Sequence, residues 1–247
     1  MGVGYNGGGI FKTMKQLDIF SYDTLIDLET TKLCSCLFEN ISIKSLFYIK
    51  EIKYKTAMSI VIKNHYLHRQ APCSIAFGLF CNNCKRIIGV ITYGVSCSST
   101  LLKGICGVDE QSNIYELTRL WVNDGTPKNT ESFFIGNTIK LLNKEIIVSF
   151  AEINQGHRGT IYQATNFIYC GLSAIFKDPK IKGLENKHHA TYANGMSMKQ
   201  IIDKYGQENV YYIDRPRKHR YIYINAKNKR KKELLNKLKY KILPYPK

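Results

Sequence analysis

The stretch SFAEINQGHRGTIYQATNF, residues 149–167, sets a carboxylate (Glu152), an imidazole (His157), a guanidinium (Arg158), a phenol (Tyr162) and several amides within one turn-rich segment. The preceding run EIIVSFAE reads as a strand. Its two-residue period points Ile146, Val148, Phe150 and Glu152 to one face and Ile147, Ser149 and Ala151 to the other. Glu152 closes that strand, and in an open α/β sheet the crevice beyond the carboxyl ends of the strands is where ligands bind. A carboxylate there is placed for general-base work. A loop-edge glutamate in water is the competing explanation. The following GTIYQATNFIYCG reads as a short helix bounded by glycine at both ends. On it Tyr162, Asn166 and Tyr169 fall on one stripe, and Ile161, Thr165, Ile168 and Leu172 on another that suits a core. Tyr162, near the helix N-terminus, is expected to donate a proton or bond a ligand. Asn166 carries the paired donor and acceptor that an amide needs to read a base edge. Hydrogen-bonded packing is the ordinary alternative for both. Ser149, His157, Gln163 and Asn166 form the expected substrate-binding set.

Two further segments offer chemistry. NHYLHR places His65, Tyr66, His68 and Arg69 together where a helix is expected to end, since AMSIVIKNHYLHR has helical spacing and QAP then stops it. In ELTRLWV the strand period sets Arg119 on one face with Tyr115, Leu117 and Trp121, surroundings in which a guanidinium must find an anion or a carbonyl. Glu152 or a ligand is the expected partner.

These residues need a scaffold, and the chain supplies its signals in order. SIAFGLF and RIIGVITYGV read as a hairpin, NIYELTRLWV as a further strand after a Gly-containing loop, and NDGTPKNTE as a turn with Thr130 capping a helix over 131–144. YYIDRPRKHRYIYINA reads as two short Tyr-rich strands. Strands alternating with helices imply an α/β fold with a mixed central sheet and helices on both faces. Residues 1–55 read as an N-terminal accessory segment, 56–226 as the catalytic domain and 227–247 as a basic tail.

Composition narrows the partners. The 247 residues carry 36 Lys and Arg against 19 Asp and Glu, a formal charge of +17, which draws polyanions by steering and counterion release. Nucleic acid is the first candidate. No run of eighteen apolar residues exists, so a membrane partner is disfavoured, and MGVGYNGGGI lacks the blocks of a secretory signal; a cytoplasmic protein is expected. Thirteen Lys and Arg against one Glu between 215 and 247 favour a polyanion contact over a solvated charge run. Arg69, Lys187, His188, His189, Arg215, Arg217, Lys218, Arg220, Lys229 and Arg230 are the expected DNA contacts. The eight cysteines show no disulfide framework, and CNNC, with Cys81 and Cys84, reads better as a hairpin turn than as half of a zinc site.

Taken together, HYLHR, FGLF, IIGVITYG, YELTRLWV, SFAE, GHRGTIYQATNFIYCG and KHRYIYI, in that order between about 60 and 225, resemble the phage Mom family of DNA-modification proteins. The resemblance implies an acetyltransferase-like (GNAT) fold that attaches a carbamoylmethyl group to the exocyclic amine of adenine in phage DNA, hiding sites from host restriction. Double-stranded DNA is the implied partner. By motif match the family's functional residues fall on His65, Tyr66, Arg119, Glu152 and Tyr162; the family pattern usually ends the fifth block with Asp, and this chain has Glu152. Glu152 is expected to take the amine proton, Tyr162 and His65 to orient that base or handle the proton, Tyr66 to line the pocket and Arg119 to hold the donor's carbonyl. The target amine lies in the base stack, so base flipping is implied. For the donor, acyl-coenzyme A or a glycine-derived compound is expected. NDGTPKNTESFFIGN has only Gly125 ahead of its helix, short of a pyrophosphate cradle, and a thioester attacked at its carbonyl would give an amide, not a methylene-linked group. Iron is a further expectation, at His65 and Glu152 with Tyr66, Tyr162 or His157. A conventional N-acetyltransferase and a non-catalytic DNA-binding protein remain the rival readings.

Overall fold

The computed structural model describes residues 42–247 except Asn186 and His188, with the backbone alone at His189 and Ala190. In chain order the elements are α1 (Ile43–Leu46), β1 (Phe47–Glu51), α2 (Tyr54–Asn64), β2 (Ile75–Cys81), β3 (Ile87–Gly94), α3 (Ser99–Cys106), β4 (Ile114–Val122), α4 (Thr130–Ile139) and β5 (Ile146–Glu152). They continue with α5 (Thr160–Ala164), β6 (Ile168–Leu172), β7 (Phe176–Ile181), α6 (His189–Ala193), α7 (Met198–Tyr205), β8 (Val210–Arg215), β9 (Lys218–Ile224) and α8 (Asn228–Lys237). The fold is α/β, and the chain divides into two units: one takes the described chain up to Cys97 with Tyr115–Asn143, the other Ser98–Ile114 with Lys144–Lys247.

In the first unit β1 to β4 form an antiparallel meander, with Ile49 opposite Leu79, Phe77 opposite Ile91 and Ile91 opposite Leu120. β3 is buried along its whole length, as an apolar run covered on both faces must be. Met58, Ile60 and Val61 of α2 pack on Ala76, Phe80 and Val90. On the other face, Phe134 and Ile135 of α4 are buried, and Thr138 shares a 2.7 Å hydrogen bond with Tyr93. β1 lies within the segment expected to be accessory, yet it pairs with β2 along five residues.

Two local expectations for this unit change. Thr130 is the first helical residue, its hydroxyl donates to the Pro127 carbonyl at 2.6 Å, and the residue before the helix is Asn129 with φ +71°. The helix stops at Ile139 because the amides of Leu141 and Leu142 turn back to Thr138 and Ile139, a tighter winding that ends the α spacing. Arg119 sits opposite Thr92 but Leu117 opposite Tyr93, so Thr118 is an extra residue. This β-bulge moves Arg119 off the face expected for it with Leu117.

In the second unit β9 lies between β5 and β6, antiparallel to both, with Tyr221 opposite Ser149 on one side and Tyr169 on the other. One face of this sheet carries Ile146, Val148, Ile222 and Ile224, covered by Leu102 and Ile105 of α3 and Leu234 of α8. The segment expected as a Gly-containing loop holds α3, capped by the Ser98 side chain accepting from the Leu101 amide at 3.2 Å. The helix expected over GTIYQATNFIYCG ends at Ala164, and Ile168–Leu172 is a strand. Thr165 bonds back to the Ile161 carbonyl at 2.8 Å, and Asn166 takes a left-handed conformation, φ +60°, which Asn tolerates. The two helical stripes therefore do not form. β7 and β8 make a separate two-stranded ribbon, backed by Ile181, Tyr192, Ala193 and Ile201 in a cluster with α6 and α7. The two Tyr-rich strands exist as expected, but they belong to different sheets.

The basic tail is a helix and a docked strand of chain. Arg230 of α8 donates to Glu110 as a two-pronged fork (3.1 and 2.7 Å), to Glu145 and to Glu233, and Lys237 bonds Glu110 at 2.7 Å. Beyond the helix, Lys239 N–H bonds the Ile105 carbonyl, Leu243 N–H the Tyr169 carbonyl, and Tyr245 Oη the Phe167 carbonyl.

Candidate functional site

In the second unit the site grows from the end of β5. Glu152 pairs in register with Lys218 of β9, and their side chains lie 3.7 Å apart, with Glu152 about one-fifth exposed (19%). The chain then makes one 3-10 turn, Gly156 takes φ +68°, and the His157 amide returns to the Glu152 carbonyl at 3.2 Å. The catalytic candidate is thus held at the mouth of a closed turn, with His157 and Arg158 exposed beside it.

α5 brings Tyr162 against β9. Its ring lies 5.3 Å from those of Tyr221 and Phe167, and the Tyr169 ring lies 5.2 Å from Tyr221. Tyr221 Oη donates to the Arg158 carbonyl, and Gln163 donates to both Tyr221 Oη and that carbonyl at 3.2 Å. Gln163 therefore fixes the loop that carries His157. Ser149 is fully buried opposite Tyr221, and Asn166 is exposed at its left-handed turn.

Tyr169 Oη and His219 Nδ1 share a 2.8 Å hydrogen bond. Burial, aided by the Arg158 charge, lowers the His219 pKa, while burial raises those of Tyr169 and Tyr221. These shifts favour the neutral imidazole and the protonated phenols, and the tautomer of His219 decides which of the pair donates. His219 and Tyr221 escaped the sequence reading as site residues, although the alternation in KHRYIYI places His219, Tyr221 and Tyr223 on one strand face.

Gly159 is what lets this cluster close. It opens α5 with φ +74°, and a Cβ there would lie 2.3 Å from the Tyr221 ring. Gly159→Ala is expected to cost about 2–3 kcal/mol, from a left-handed backbone and a clash with a packed ring. A urea melt checks it; an unchanged midpoint would show that the loop packs differently.

In the first unit, His65 caps α2, is 8% exposed, and its Nδ1 accepts the Leu67 amide at 3.1 Å. A neutral ring accepting at Nδ1 carries its proton on Nε2 and so presents a donor. Tyr66 stacks on it with centroids 4.4 Å apart. Arg119, re-aimed by the bulge, donates to the Gln70 carbonyl at 3.2 Å and to the Thr118 carbonyl at 2.6 Å. The structure thereby joins Arg119 to the turn that follows His65 and Tyr66.

Neither expected cofactor matches the residues present. A metal ligand at His65 needs a free ring lone pair, and Nδ1 spends its own on Leu67 while Nε2 holds the proton. Among the described residues no group of three or more His, Cys, Asp or Glu is placed to hold a metal. At the start of α4, the Thr130 amide is spent on the Pro127 carbonyl and Glu131 puts a carboxylate in the first turn, where a pyrophosphate would need bare amides.

Of the expected DNA contacts, Arg69 and Lys229 are exposed, and Lys187 lies at the surface. Arg217 donates to the Ser173 carbonyl, and Arg215 is paired with Asp178. Arg220 is only 8% exposed, with its guanidinium 3.9 Å from the Tyr240 ring, and Arg230, partly exposed, is bound by carboxylates. His188 and the His189 side chain lie outside the described residues. No helix among those described is long and apolar enough to cross a membrane.

Comparison with known proteins adds three likenesses. The chain is 28% identical over 218 residues to the methylcarbamoylase mom of Escherichia phage Mu, covering 80% of this chain and 85% of that protein. Among solved structures, the ribosomal-protein-S5-alanine acetyltransferase of Vibrio fischeri matches 78% of this chain and 97% of its own, at 12% identity and a TM-score of 0.41. A GNAT-family acetyltransferase of Streptococcus pneumoniae matches 73% and 99%, at 9% identity and a TM-score of 0.39. The family model described as the Mom protein family matches residues 46–247, which takes in the Glu152 turn, the Tyr162 cluster and the His65 cap alike, and the chain belongs to that family.

Proposed function

We propose that this protein is a transferase that modifies DNA, attaching a carbamoylmethyl group to the exocyclic amine of adenine in phage DNA so that host restriction enzymes no longer read it. The observation that carries this reading is the 28% identity to the phage Mu methylcarbamoylase across 85% of that protein. The excess of 36 basic over 19 acidic residues supports a polyanionic substrate.

In this reading the adenine amine is a poor nucleophile because its lone pair is delocalised into the ring. A base must take its proton while the new nitrogen–carbon bond forms and the donor's bond to its leaving group breaks. Glu152, at the strand end beside Lys218, is that base. Lys218, 3.7 Å away, orients Glu152 and neutralises the leaving group or a flanking phosphate. Tyr162 offers its phenol to handle the proton. His65 presents Nε2–H as a donor, and Arg119 holds the donor's carbonyl.

The test is expression in a bacterium followed by nucleoside mass spectrometry of the host DNA. A deoxyadenosine carrying one carbamoylmethyl group is expected. An acetylated deoxyadenosine, or acetylated protein with unchanged DNA, would support the conventional acetyltransferase, and unmodified nucleosides under good expression would sink the reading.

A further inference from the structure

The β7–β8 ribbon has an unusual surface. Phe176 (54% exposed), Ile213 (40%) and Tyr212 (54%) on the ribbon, with Ile175 (72%) just before it, are large apolar side chains left in water; by the strand alternation Phe176 and Ile213 share one face and Tyr212 lies on the other. Exposed apolar patches of this kind mark interaction sites, since each such side chain gains free energy on burial. The ribbon is not loose. Its inner face, with Ile181 and Val210 in register, packs on Tyr192 and Ile201, and Tyr192 Oη donates to the Pro179 carbonyl. Its outer face carries Phe176 and Ile213 beside Arg215 and Asp178, by the alternation of the paired strands. Arg215 sits over the Phe176 ring, 5.6 Å from its centroid, and donates from Nε to Asp178 at 3.0 Å, so one face of the ring is held by the guanidinium.

Position gives the ribbon a purpose. Both of its legs spring from the strand ends at the candidate site: Ser173 N–H bonds the Lys218 carbonyl at 2.8 Å, Lys218 N–H bonds Ser173 Oγ at 3.0 Å, and Lys218 is the partner of Glu152. Arg215 precedes Lys218 by three residues and Phe176 follows Ser173 by three, each at most about 10 Å along the chain. Residues 175–218 hold nine Lys and Arg against five Asp and Glu, a balance that suits a polyanion rather than another copy of this basic chain.

Resting on the DNA reading above, we propose that the β7–β8 ribbon is the duplex-opening element. Phe176 and Ile213 enter the base stack and fill the space left by the adenine that swings out toward Glu152. Apolar wedges between base steps are an established way to unstack DNA, and a two-stranded ribbon fits the major groove. The neighbouring lysines and arginines contact the flanking phosphates.

The experiment uses the full chain and duplexes of mixed sequence containing 2-aminopurine, whose fluorescence rises on unstacking, with anisotropy read in parallel on the same duplexes and on single strands. Wild type is expected to bind both and to raise the duplex signal. In Phe176→Ser/Ile213→Ser the rise should fall about tenfold while single-strand affinity stays within about twofold, and Phe176→Trp should retain the rise. Because both side chains are exposed, the melting temperature should not move; if it does, Phe176→Trp alone decides, its loss of the signal overturning the proposal. Equal loss for duplex and single strand, or no loss, overturns it as well. So does a dimer that dissociates in the double variant with DNA opening unchanged, the mark of a self-association surface. Failure of wild type to bind any DNA would instead remove the functional reading on which the proposal stands.

Discussion

Glu152→Gln is expected to lower the rate at which adenine adducts accumulate about a thousandfold, within the range a positioned general base contributes. The substitution keeps the shape of the side chain and removes the charge and the proton acceptor. Stability should barely change, because the contact with Lys218 is long, at 3.7 Å, and partly solvated, worth under about 1 kcal/mol. The discriminating result is therefore loss of adduct with an unshifted melting curve. Glu152→Asp keeps the carboxylate but withdraws it by one methylene, and a displacement of about 1 Å costs up to about a hundredfold. The expected order is wild type, then Asp, then Gln. Adduct formation that survives in Glu152→Gln would assign the proton to another group.

Arg230→Met should destabilise the fold by about 2–3 kcal/mol, because it removes the two-pronged partner of a buried carboxylate and leaves only Lys237 and Asn113 on it. The Glu110 side chain is only 6% exposed, and Arg230 grips it with two nitrogens while Lys237 and Asn113 take its remaining sites. Hydrogen bonding to Arg230 is the main cause that lowers the Glu110 pKa to about 2 from the ordinary 4.5. The group is depressed in the folded state, so its stabilisation is fully present above about pH 4.5 and is lost as pH falls toward 2. That acid-sensitive part amounts to about 3 kcal/mol. Urea midpoints at pH 7 and pH 2.5 check both statements: wild type should lose stability between them, and Arg230→Met should start low and lose less. An Arg230→Met midpoint equal to wild type at pH 7 would show that the cluster does not hold α8 in place. Adduct formation should also fall, since the tail bonds Phe167 and Tyr169 of the aromatic cluster.

Legibility in the sequence followed distance along the chain. The hairpin of β2 and β3, the strand β5 ending in Glu152 and the stop of α2 at His65 all follow from local period and local breakers, and the structure has them where the pattern puts them. Thr165 and Asn166 misled the reading because their types suit a helix interior poorly but also suit a functional amide. Their side-chain bonding and left-handed backbone ended the helix instead. α3 was hidden by its glycine, Gly104, which a buried amphipathic helix tolerates.

By itself the sequence determined the α/β class, the basic character of the surface and the family blocks, because these depend on residue type and near-neighbour spacing. Only the tertiary structure decided that β9 passes between β5 and β6, setting Tyr221 against Ser149 on one side and Tyr169 on the other. It alone bulged β4 at Thr118 to turn Arg119, and drew Arg230 out of a basic run onto Glu110, 120 residues away. The reason is physical. A strand's neighbours and a buried carboxylate's partner are chosen by loop closure and desolvation over the whole chain, and no window of local pattern contains those costs.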